Sequence, residues 1–255
     1  MLAEERKNKI LELISEKKIV KVTELSTLLK ATEATVRRDL EDLQAQNKVH
    51  RVHGGATSVN PTSRMIRQQD LLDLCTEEKK RIARKAYDYV QDNDAIFMDS
   101  STTVLELARL IAAGGRSRLT VITNSFVIVS LFADTPDIRV LHTGGQIVYA
   151  LQAALGVVAE NMIRGVKVEK CFLGTNGIDP SYGYSSPTFE EASIKRCMMH
   201  SSKQTFVLSD HTKFDEFYMC KFADFVGEVD YLITDALPKE PSLALYRTSV
   251  NLVLA

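Results

Sequence analysis

The sequence predicts an α/β protein in two parts: a small, mainly helical N-terminal domain and a larger domain built on a mainly parallel β-sheet. The chain has 255 residues, which is long for one compact domain and comfortable for two. Its first part contains three short segments with apolar residues at helical spacing. Its later part alternates short apolar runs with helical patterns, as in parallel sheets that are covered on both faces.

Composition and charge place few limits on function. Apolar residues make up 45% and charged residues 25% of the chain, which are ordinary values for globular proteins. The net charge is −1, and residues 1–60 hold 11 basic and 9 acidic side chains, so any DNA-binding surface must be local. Because the sequence shows neither a signal-peptide pattern nor an apolar run of membrane-spanning length, we expect a cytoplasmic protein with no membrane partner.

The cysteines and histidines do not indicate a metal site. The four cysteines are scattered without a Cys-x-x-Cys pair, which indicates reduced thiols in a cytosolic protein. The five histidines show no spacing typical of metal ligands. We therefore expect neither a bound metal nor a cofactor.

Three helical patterns open the chain. About Lys30 to Thr32 separate the second pattern from the third, which is the connection length of a helix-turn-helix motif. Thr23 is the expected N-cap of the second helix and Thr32 that of the third. The apolar residues of the three helices are Ile10, Leu13 and Ile14; Val22, Leu25, Leu28 and Leu29; and Val36, Leu40 and Leu43.

The third helix has a small and cationic outer face. Successive helical residues rotate by about 100°, so Ala34 and Arg38 point away from the core if Val36 and Leu40 face it. Small residues allow a helix to enter the major groove of DNA, and an arginine can form paired hydrogen bonds with guanine or phosphate. The flanking residues are Thr35 and Arg37.

Acidic residues in the same helix leave the role of Arg37 open. Asp39 and Asp42 are expected at the flanks of the helix, where they can pair with lysines of the same domain. Arg37 is either a phosphate contact or a partner for a nearby carboxylate of the same helix, such as Asp39 or Glu41, whereas Arg38 is expected to contact bases or phosphates. The alternative interpretation of the whole domain is a three-helix cap with a solvated, charged face.

A short basic segment follows the third helix. Its sequence, NKVHRVHGGATS, is rich in strand-forming residues and is interrupted by Gly54-Gly55, which predicts a two-stranded wing with a glycine turn. Basic side chains on such a wing would contact phosphates beside the groove. The candidate DNA-binding residues are therefore Thr23, Thr32, Ala34, Thr35, Arg37, Arg38, Lys48, Arg51 and His53.

Residues 22–56 resemble the N-terminal signature of the DeoR family of bacterial transcriptional repressors. In that family a T-[IV]-R-R-D-L recognition helix precedes a wing that ends in R-x-H-G-G-A, and both halves occur here, at residues 35–40 and 51–56. The family usually has Val-Ser before the recognition helix, where this chain has Ala31-Thr32, and threonine retains the capping hydroxyl. The resemblance implies a winged helix-turn-helix domain that binds operator DNA.

The rest of the chain predicts a linker and a second domain. We assign residues 1–57 to the DNA-binding domain, 58–75 to a linker and 76–255 to an effector-sensing and oligomerisation domain. A helix is predicted from Thr76 to about Gln91. Further helices are predicted at about 102–112 and 189–201, and strands at 95–99, 119–123, 138–142, 170–174, 205–210, 231–235 and 250–254.

Polar and glycine residues follow several of these strands. In parallel sheets, ligands bind beyond the carboxyl ends of the strands, where hydroxyls and free backbone N–H groups at helix starts suit a phosphate. The hydroxyl residues are equally well explained as helix caps, the glycines as simple turns, and Asp210 with Lys213 as a surface ion pair. The candidate effector-binding residues at these ends are Asp99, Ser100, Ser101, Thr102, Thr103, Thr123, Asn124, Ser125, Gly144, Gly145, Gly174, Asn176, Gly177, Asp210 and Lys213.

The same segments match the DeoR pattern in DSSTT, TNS, GG, LGTNGI, EEASIK and SDHTKF. The C-terminal domain of that family is similar in fold to ribose-5-phosphate isomerase and binds phosphorylated sugars or related metabolites. The resemblance adds Glu191 and Lys195 as effector-site residues, a charged pair at i, i+4 on one helix face, although an ordinary surface ion pair has the same spacing. The family often has glycine where this chain has Ser100 or Ser101, so this loop is expected to be less open.

Together, the residues and the resemblance predict a DNA-binding regulator, most simply a repressor of a sugar-metabolism operon that a phosphorylated sugar releases from operator DNA. Because one recognition helix contacts only a few base pairs, we expect a homodimer or homotetramer. An activator is an open alternative. So is a sugar-phosphate isomerase-like enzyme fused to a DNA-binding head, since acids and bases occur at the strand ends. No spacing demands turnover, so we expect no enzyme activity.

Overall fold

The described part of the computed structural model comprises residues 2–17, 19–46, 48–52, 54–58, 62, 65–238 and 242–255. The chain forms two compact units, residues 1–61 and 62–255. Among the described residues, the first unit has one apolar core and the second has two, one on each face of its sheet. No helix among the described residues has the length and apolar character needed to cross a membrane.

The first unit, here called the DNA-binding unit, combines helices with a small sheet. The helices are α1 (Ala3–Lys17), α2 (Val22–Leu29) and α3 (Glu33–Ala45), and the strands are β1 (Ile19–Lys21), β2 (Val49–Val52) and β3 (Gly55–Ser58). The apolar stripes of the helices meet in one core, in which Leu25, Val36 and Leu40 are completely buried. Since α2 ends at Leu29 and α3 begins at Glu33, the predicted helix-turn-helix connection is confirmed.

The predicted two-stranded wing is present, and a third strand extends it. Strands β2 and β3 pair antiparallel, with Val52 opposite Gly55. Strand β1 pairs with the other side of β3, and its three residues are too few to give a periodic signal in the sequence. Gly55 permits this pairing, because a Cβ at that position would lie 2.1 Å from the carbonyl oxygen of Val20.

Two predictions for α2 are wrong. The N-cap residue is Lys21, so Thr23 lies inside the first turn and does not cap the helix. Leu28 is 54% exposed, whereas Val22, Leu25 and Leu29 are buried. A helix of eight residues buries only a narrow stripe, and Leu28 lies about 100° around the axis from Leu29.

The second unit, here called the sensor unit, alternates strands and helices. Its strands are β4 (Ala95–Met98), β5 (Thr120–Thr123), β6 (Arg139–His142), β7 (Gln146–Val148), β8 (Ala153–Leu155), β9 (Val168–Gly174), β10 (Gly177–Asp179), β11 (Gly183–Ser186), β12 (Ser202–Leu208), β13 (Cys220–Ala223), β14 (Tyr231–Thr234) and β15 (Asn251–Leu254). Its α-helices are α4 (Gln68–Leu72), α5 (Thr76–Tyr87), α6 (Thr102–Ala112), α7 (Phe126–Leu131), α8 (Val157–Arg164), α9 (Phe189–His200) and α10 (Ser242–Ser249).

Seven of these strands form a parallel sheet in the order β15-β14-β12-β9-β4-β5-β6. Side chains alternate between its two faces: Phe97 packs in one core, and Ile96 and Met98 pack in the other. Helices α5 and α6 cover one face, and α8 and α9 cover the other. Burial on both faces explains why the strands are continuously apolar. Because all seven strands are parallel, their carboxyl ends share one edge, here called the carboxyl edge.

Several elements outside the central sheet were not predicted from the sequence. They include the hairpin β7-β8, the antiparallel sheet β10-β11-β13, and helices α8 and α10. Short, locally paired strands carry little periodic signal, which explains the omission. Helix α4 lies within the segment assigned to a linker. Helix α5 ends at Tyr87 rather than near Gln91, although Val90 is still buried as predicted.

Candidate DNA-binding face and effector site

The outer face of α3 has the composition expected of a recognition helix. Thr32 caps the helix, because its hydroxyl accepts a hydrogen bond from the backbone N–H of Thr35 at 3.2 Å. Val36 is completely buried, while Ala34 and Arg38 are exposed, so the predicted orientation is confirmed. A small residue and a cation therefore face solvent near the helix start, the part that contacts bases in helix-turn-helix proteins.

Two acidic side chains of α3 hold this helix against α1. Asp39 is buried and accepts hydrogen bonds from two nitrogens of Arg6, one of them at 3.0 Å. The Nζ of Lys7 lies 2.9 Å from the carboxylate of Asp42. The prediction of a flanking position beside a lysine is right for Asp42. It is wrong for Asp39, which is buried and pairs with the half-buried Arg6. These carboxylates orient the helix rather than oppose DNA binding.

The two arginines of α3 are not equivalent. The guanidinium of Arg37 lies 3.2 Å from the carboxylate of Glu33, one turn earlier. Arg37 therefore pairs with a carboxylate of its own helix, as one of the two alternatives predicted, but that carboxylate is Glu33 rather than Asp39 or Glu41. Arg38 forms no ion pair with any described residue. Arg38 can therefore turn toward DNA without breaking an ion pair with a described residue. Arg37 must either break its contact with Glu33 or keep it while it also contacts DNA.

The remaining candidates of the DNA-binding unit lie around α3. Arg51, on β2, forms an ion pair with Glu41 at 2.6 Å, which links the wing to the recognition helix. Thr23 is exposed on α2, and Lys48 is half-buried just before β2. His53 lies outside the described residues.

In the sensor unit, Asp99 joins three segments at the carboxyl edge. It follows β4, is buried, and accepts hydrogen bonds from the backbone N–H groups of Ser101 and Gly174, each at 2.9 Å. Lys195, on α9, forms an ion pair with Asp99 and donates a hydrogen bond to the carbonyl of Gly174 at 2.9 Å. A Cβ at position 174 would lie 2.3 Å from the Cβ of Ser101, so this close approach requires glycine. Four of the predicted residues thus meet here.

Glu191 has a different role from the one its spacing suggests. Thr188 is the N-cap of α9, and its hydroxyl donates to the Glu191 carboxylate at 2.8 Å and accepts from the Glu191 N–H at 3.3 Å. Burial raises the pKa of Glu191, and this effect exceeds the lowering by the charge of Lys195. The predicted Glu191–Lys195 ion pair is therefore wrong: Lys195 pairs with Asp99, and Glu191 pairs with the hydroxyl of its N-cap residue, Thr188.

A second cluster of charges lies at the end of β12. Asp210 and Lys79 are buried, so the interpretation of Asp210 as part of a surface pair is wrong. Burial lowers the pKa of Lys79 to about 8, against an ordinary value of 10.5. Burial opposes ionisation of Asp210, but the charge of Lys213, the hydrogen bonds from Thr212 and the charge of Lys79 together hold its pKa below the usual range. Burial also disfavours the charged form of Lys213. The negative charge of Asp210 contributes most to outweighing this effect, so the pKa of Lys213 is raised.

Several hydroxyls at the strand ends serve the local backbone. Ser101 accepts a hydrogen bond from the N–H of Val104, and Ser125 accepts one from the N–H of Ile128, each at 3.3 Å. Thr123 accepts from the N–H of Ser125 at 3.0 Å. The interpretation as helix caps is therefore right for Ser101 and Ser125. Nearby, Ser100 is half-buried, and Thr102 and Thr103 are buried at the start of α6.

Asn124, directly after β5, combines an anchored amide with an unsatisfied acceptor. Its Nδ2 donates to the carbonyl of Ala154 at 3.2 Å, which fixes the orientation of the amide. Its Oδ1 is buried and has no hydrogen-bond partner among the described residues. A buried acceptor without a donor costs about 1–3 kcal/mol, so a ligand that donates a hydrogen bond here would remove that cost.

Local packing accounts for the predicted glycines of the outer loops. A Cβ at Gly145 would lie 2.6 Å from the carbonyl oxygen of Leu155, and one at Gly177 would lie 2.5 Å from the carbonyl oxygen of Glu216. Both positions therefore need glycine for close backbone approach, whether or not a ligand binds. Gly144, with φ +66°, and Asn176 lie directly before them.

The sequence did not indicate that Lys79 and Gln68 of the sensor unit are buried. Lys79, on α5, donates a hydrogen bond to the carbonyl of Leu71. It lies three residues before Ile82, so helical spacing could have assigned it to the buried face. Gln68 is buried on α4, and no local signal marks it, because this helix has only five residues.

Comparisons with known proteins agree with both units. Residues 6–62 match the DeoR-like helix-turn-helix domain, and residues 74–236 match the DeoR C terminal sensor domain. The chain is 34% identical to the uncharacterized HTH-type transcriptional regulator YulB of Bacillus subtilis, over 92% of this chain and 90% of that protein. It is 30% identical to the HTH-type transcriptional repressor GlcR of Bacillus subtilis, over 94% and 91%. A solved ribose 5-phosphate isomerase from Methanocaldococcus jannaschii shares 14% identity over 55% of each chain at a TM-score of 0.40, a likeness too distant to support an inference.

The family matches cover both units, and the relatives are named as transcriptional regulators. They therefore support a regulator and not the alternative of an isomerase-like enzyme fused to a DNA-binding head. The chain belongs to the DeoR family of DNA-binding transcriptional regulators.

Proposed function

We propose that the protein is a cytoplasmic repressor of a sugar-metabolism operon, and that a phosphorylated sugar or a related metabolite releases it from operator DNA. The observation that carries the effector class is the excess of positive charge at the carboxyl edge. Asp210 is the main negative charge that acts on both Lys79 and Lys213, whereas Lys195 is already paired with Asp99. An ammonium group that is removed from water is stabilised by an anion, so an anionic ligand suits this cluster.

The DNA-binding part of the proposal rests on the outer face of α3 and the wing. Ala34, Thr35 and Arg38 are candidates for contacts with base edges, and Arg37, Lys48, Arg51 and His53 for contacts with phosphates. The name of the relative GlcR includes the word repressor, which supports repression over activation.

Release from DNA requires that the sugar phosphate binds the DNA-free arrangement better than the DNA-bound one. A coupling free energy of about 1–3 kcal/mol corresponds to a change in operator affinity of roughly 5- to 150-fold. In a homodimer or homotetramer, a change in the spacing between two recognition helices is enough to weaken binding to paired half-sites. Sedimentation of the protein with operator DNA tests this arrangement, and tight operator binding by a stable monomer would contradict it.

A thermal-shift screen tests the effector class. The probes are glucose 6-phosphate, fructose 6-phosphate, fructose 1-phosphate and ribose 5-phosphate, with inorganic phosphate and unphosphorylated glucose as controls. A ligand at 100 times its Kd adds about 2.7 kcal/mol to the free energy of unfolding, so one probe should raise Tm clearly. The same compound should release operator DNA in a mobility-shift assay. Release by an unphosphorylated sugar, with no response to any of the four phosphates, would contradict the proposed effector class.

A further inference from the structure

A buried amide on α4 has one side-chain atom that no described residue contacts through a hydrogen bond. Gln68 is 4% exposed, and its Nε2 donates a hydrogen bond to the carbonyl of Ser100, in the loop after β4. Because a carbonyl can only accept, this contact fixes the amide nitrogen toward Ser100 and leaves the Oε1 pointing elsewhere. That oxygen is buried and has no hydrogen-bond partner within the described part of the chain.

Helix α4 lies beside the candidate effector loop. It packs against α6, which begins at Thr102 directly after that loop, and against a short 3-10 turn at Tyr149–Leu151. The buried Lys79 holds the other end of α4 through its hydrogen bond to Leu71. Two buried polar side chains, Gln68 and Lys79, therefore tie this helix to the same edge of the sheet as the charged cluster.

We propose that Gln68 is an effector-binding residue whose Oε1 accepts a hydrogen bond from a hydroxyl group of the effector. This inference rests on the proposed function and adds the uncharged part of the ligand to it. A phosphate ester dianion carries only acceptors, so it cannot satisfy a carboxamide oxygen, whereas a sugar hydroxyl can. At the next strand end, Asn124 offers a second buried acceptor that has no partner among the residues that the structure describes. Two such oxygens and a cationic cluster suit a polyhydroxylated anion better than phosphate alone.

The position of Gln68 in the chain connects effector binding with the DNA-binding unit. Helix α4 is the first helix of the sensor unit, and the chain that leaves the DNA-binding unit runs directly into it. A hydroxyl bound by Gln68 holds α4 more firmly against the effector loop. Occupancy of the site therefore changes how firmly α4 is held, and a ligand must produce such a difference to shift an allosteric equilibrium.

Calorimetric titration of the full-length protein tests the role of Gln68. The variant is Gln68→Leu, and the matched control is Gln69→Leu, which changes the exposed neighbour in the same helix. The titrants are the four sugar phosphates named above and inorganic phosphate. For a sugar phosphate that the wild type binds, we expect about tenfold weaker binding to Gln68→Leu and a change below about twofold for Gln69→Leu. The affinity for inorganic phosphate should be unchanged. A general distortion of the site would weaken phosphate binding as well.

The outcomes separate this inference from the proposed function. Equal binding of the sugar phosphate by the wild type and by Gln68→Leu overturns the role of Gln68 and leaves the effector class standing. Failure of the wild type to bind any of the four overturns the effector class itself. If Gln68→Leu does not fold, hydrogen exchange on the wild-type protein tests the role of Gln68 instead. The amides of residues 68–72 should exchange more slowly with the bound sugar phosphate, and unchanged exchange overturns the inference.

Discussion

The two units hold their positive charges in different environments. On α3, Arg38 is exposed and has no ion-pair partner among the described residues, and the pair of Arg37 with Glu33 is also at the surface. In the sensor unit, Lys79 and Lys195 are buried, and each lies close to a carboxylate. Exposed charges act through solvent and are screened by salt, whereas buried charges depend on single contacts and on protonation. We therefore expect DNA binding to respond mainly to salt, and effector binding mainly to pH and to single substitutions.

The largest effect is expected from Lys195→Ala. This change leaves the buried carboxylate of Asp99 without its cation, so the free energy of unfolding of the sensor unit should fall by about 3 kcal/mol. Urea denaturation measures the loss. Lys203→Ala is the control, since the side chain of Lys203 is 76% exposed and its ion pair with Glu169 spans 3.7 Å, and it should cost less than about 0.5 kcal/mol. Equal effects of the two changes would show that burial of the charge does not matter. Operator binding should survive in Lys195→Ala below its unfolding temperature.

Lys79→Met should raise the free energy of unfolding, in contrast to Lys195→Ala. The pKa of Lys79 is about 8 in the folded protein and ordinarily 10.5. Below pH 8 the protein therefore holds a buried ammonium at a cost, and Met removes it, so we expect a gain of about 1–2 kcal/mol in the free energy of unfolding at pH 7. The response to the sugar phosphate should weaken at the same time. Differential scanning calorimetry compares the variant with Lys80→Met, on the same helix, where the lysine side chain is 42% exposed. Lower stability of Lys79→Met without ligand would show that this lysine is structural.

The arginines of α3 should differ in their effect on operator binding. Arg38→Ala should weaken binding about tenfold and reduce the salt slope of log K by about one. Arg37→Ala should cost less, because Arg37 must give up its contact with Glu33 to reach DNA. Fluorescence anisotropy with an operator duplex, at three salt concentrations, measures both quantities. An equal loss for the two variants would make the arginines equivalent after all.

The smallest effect is the pH dependence of effector binding. Between pH 7 and pH 9, Lys79 loses its proton through a pKa of about 8, so the affinity for the sugar phosphate should fall by about fivefold. In the protein without ligand, the unfolded chain binds more protons than the folded one between pH 8 and 10.5, so the stability contributed by this group rises over that range. Calorimetric titration of the wild type and of Lys79→Met provides the test. A pH dependence that persists in Lys79→Met would have to come from another group.

Features with a regular sequence period were predicted correctly more often than features without one. Val36 and Leu40 indicated the buried face of α3, and the continuous apolar strands indicated a parallel sheet, because burial on a regular element leaves a regular pattern. Where two explanations share one spacing, the pattern was misleading. Glu191 and Lys195 have the spacing of a helical ion pair, yet Glu191 pairs with its cap residue and Lys195 with a carboxylate from another strand end.

The sequence by itself determined the three N-terminal helices, the seven strands of the central sheet, the orientation of the recognition helix and the family signature, because these features depend on spacing between near neighbours. Only the tertiary structure decided which charges meet. Lys195 and Asp99 lie 96 residues apart in the chain, and the burial of Lys79 beside Asp210 or of Gln68 beside Ser100 depends on how distant segments pack. Hydrogen bonds and desolvation act over a few ångströms in space, and local sequence does not record which residues will come that close.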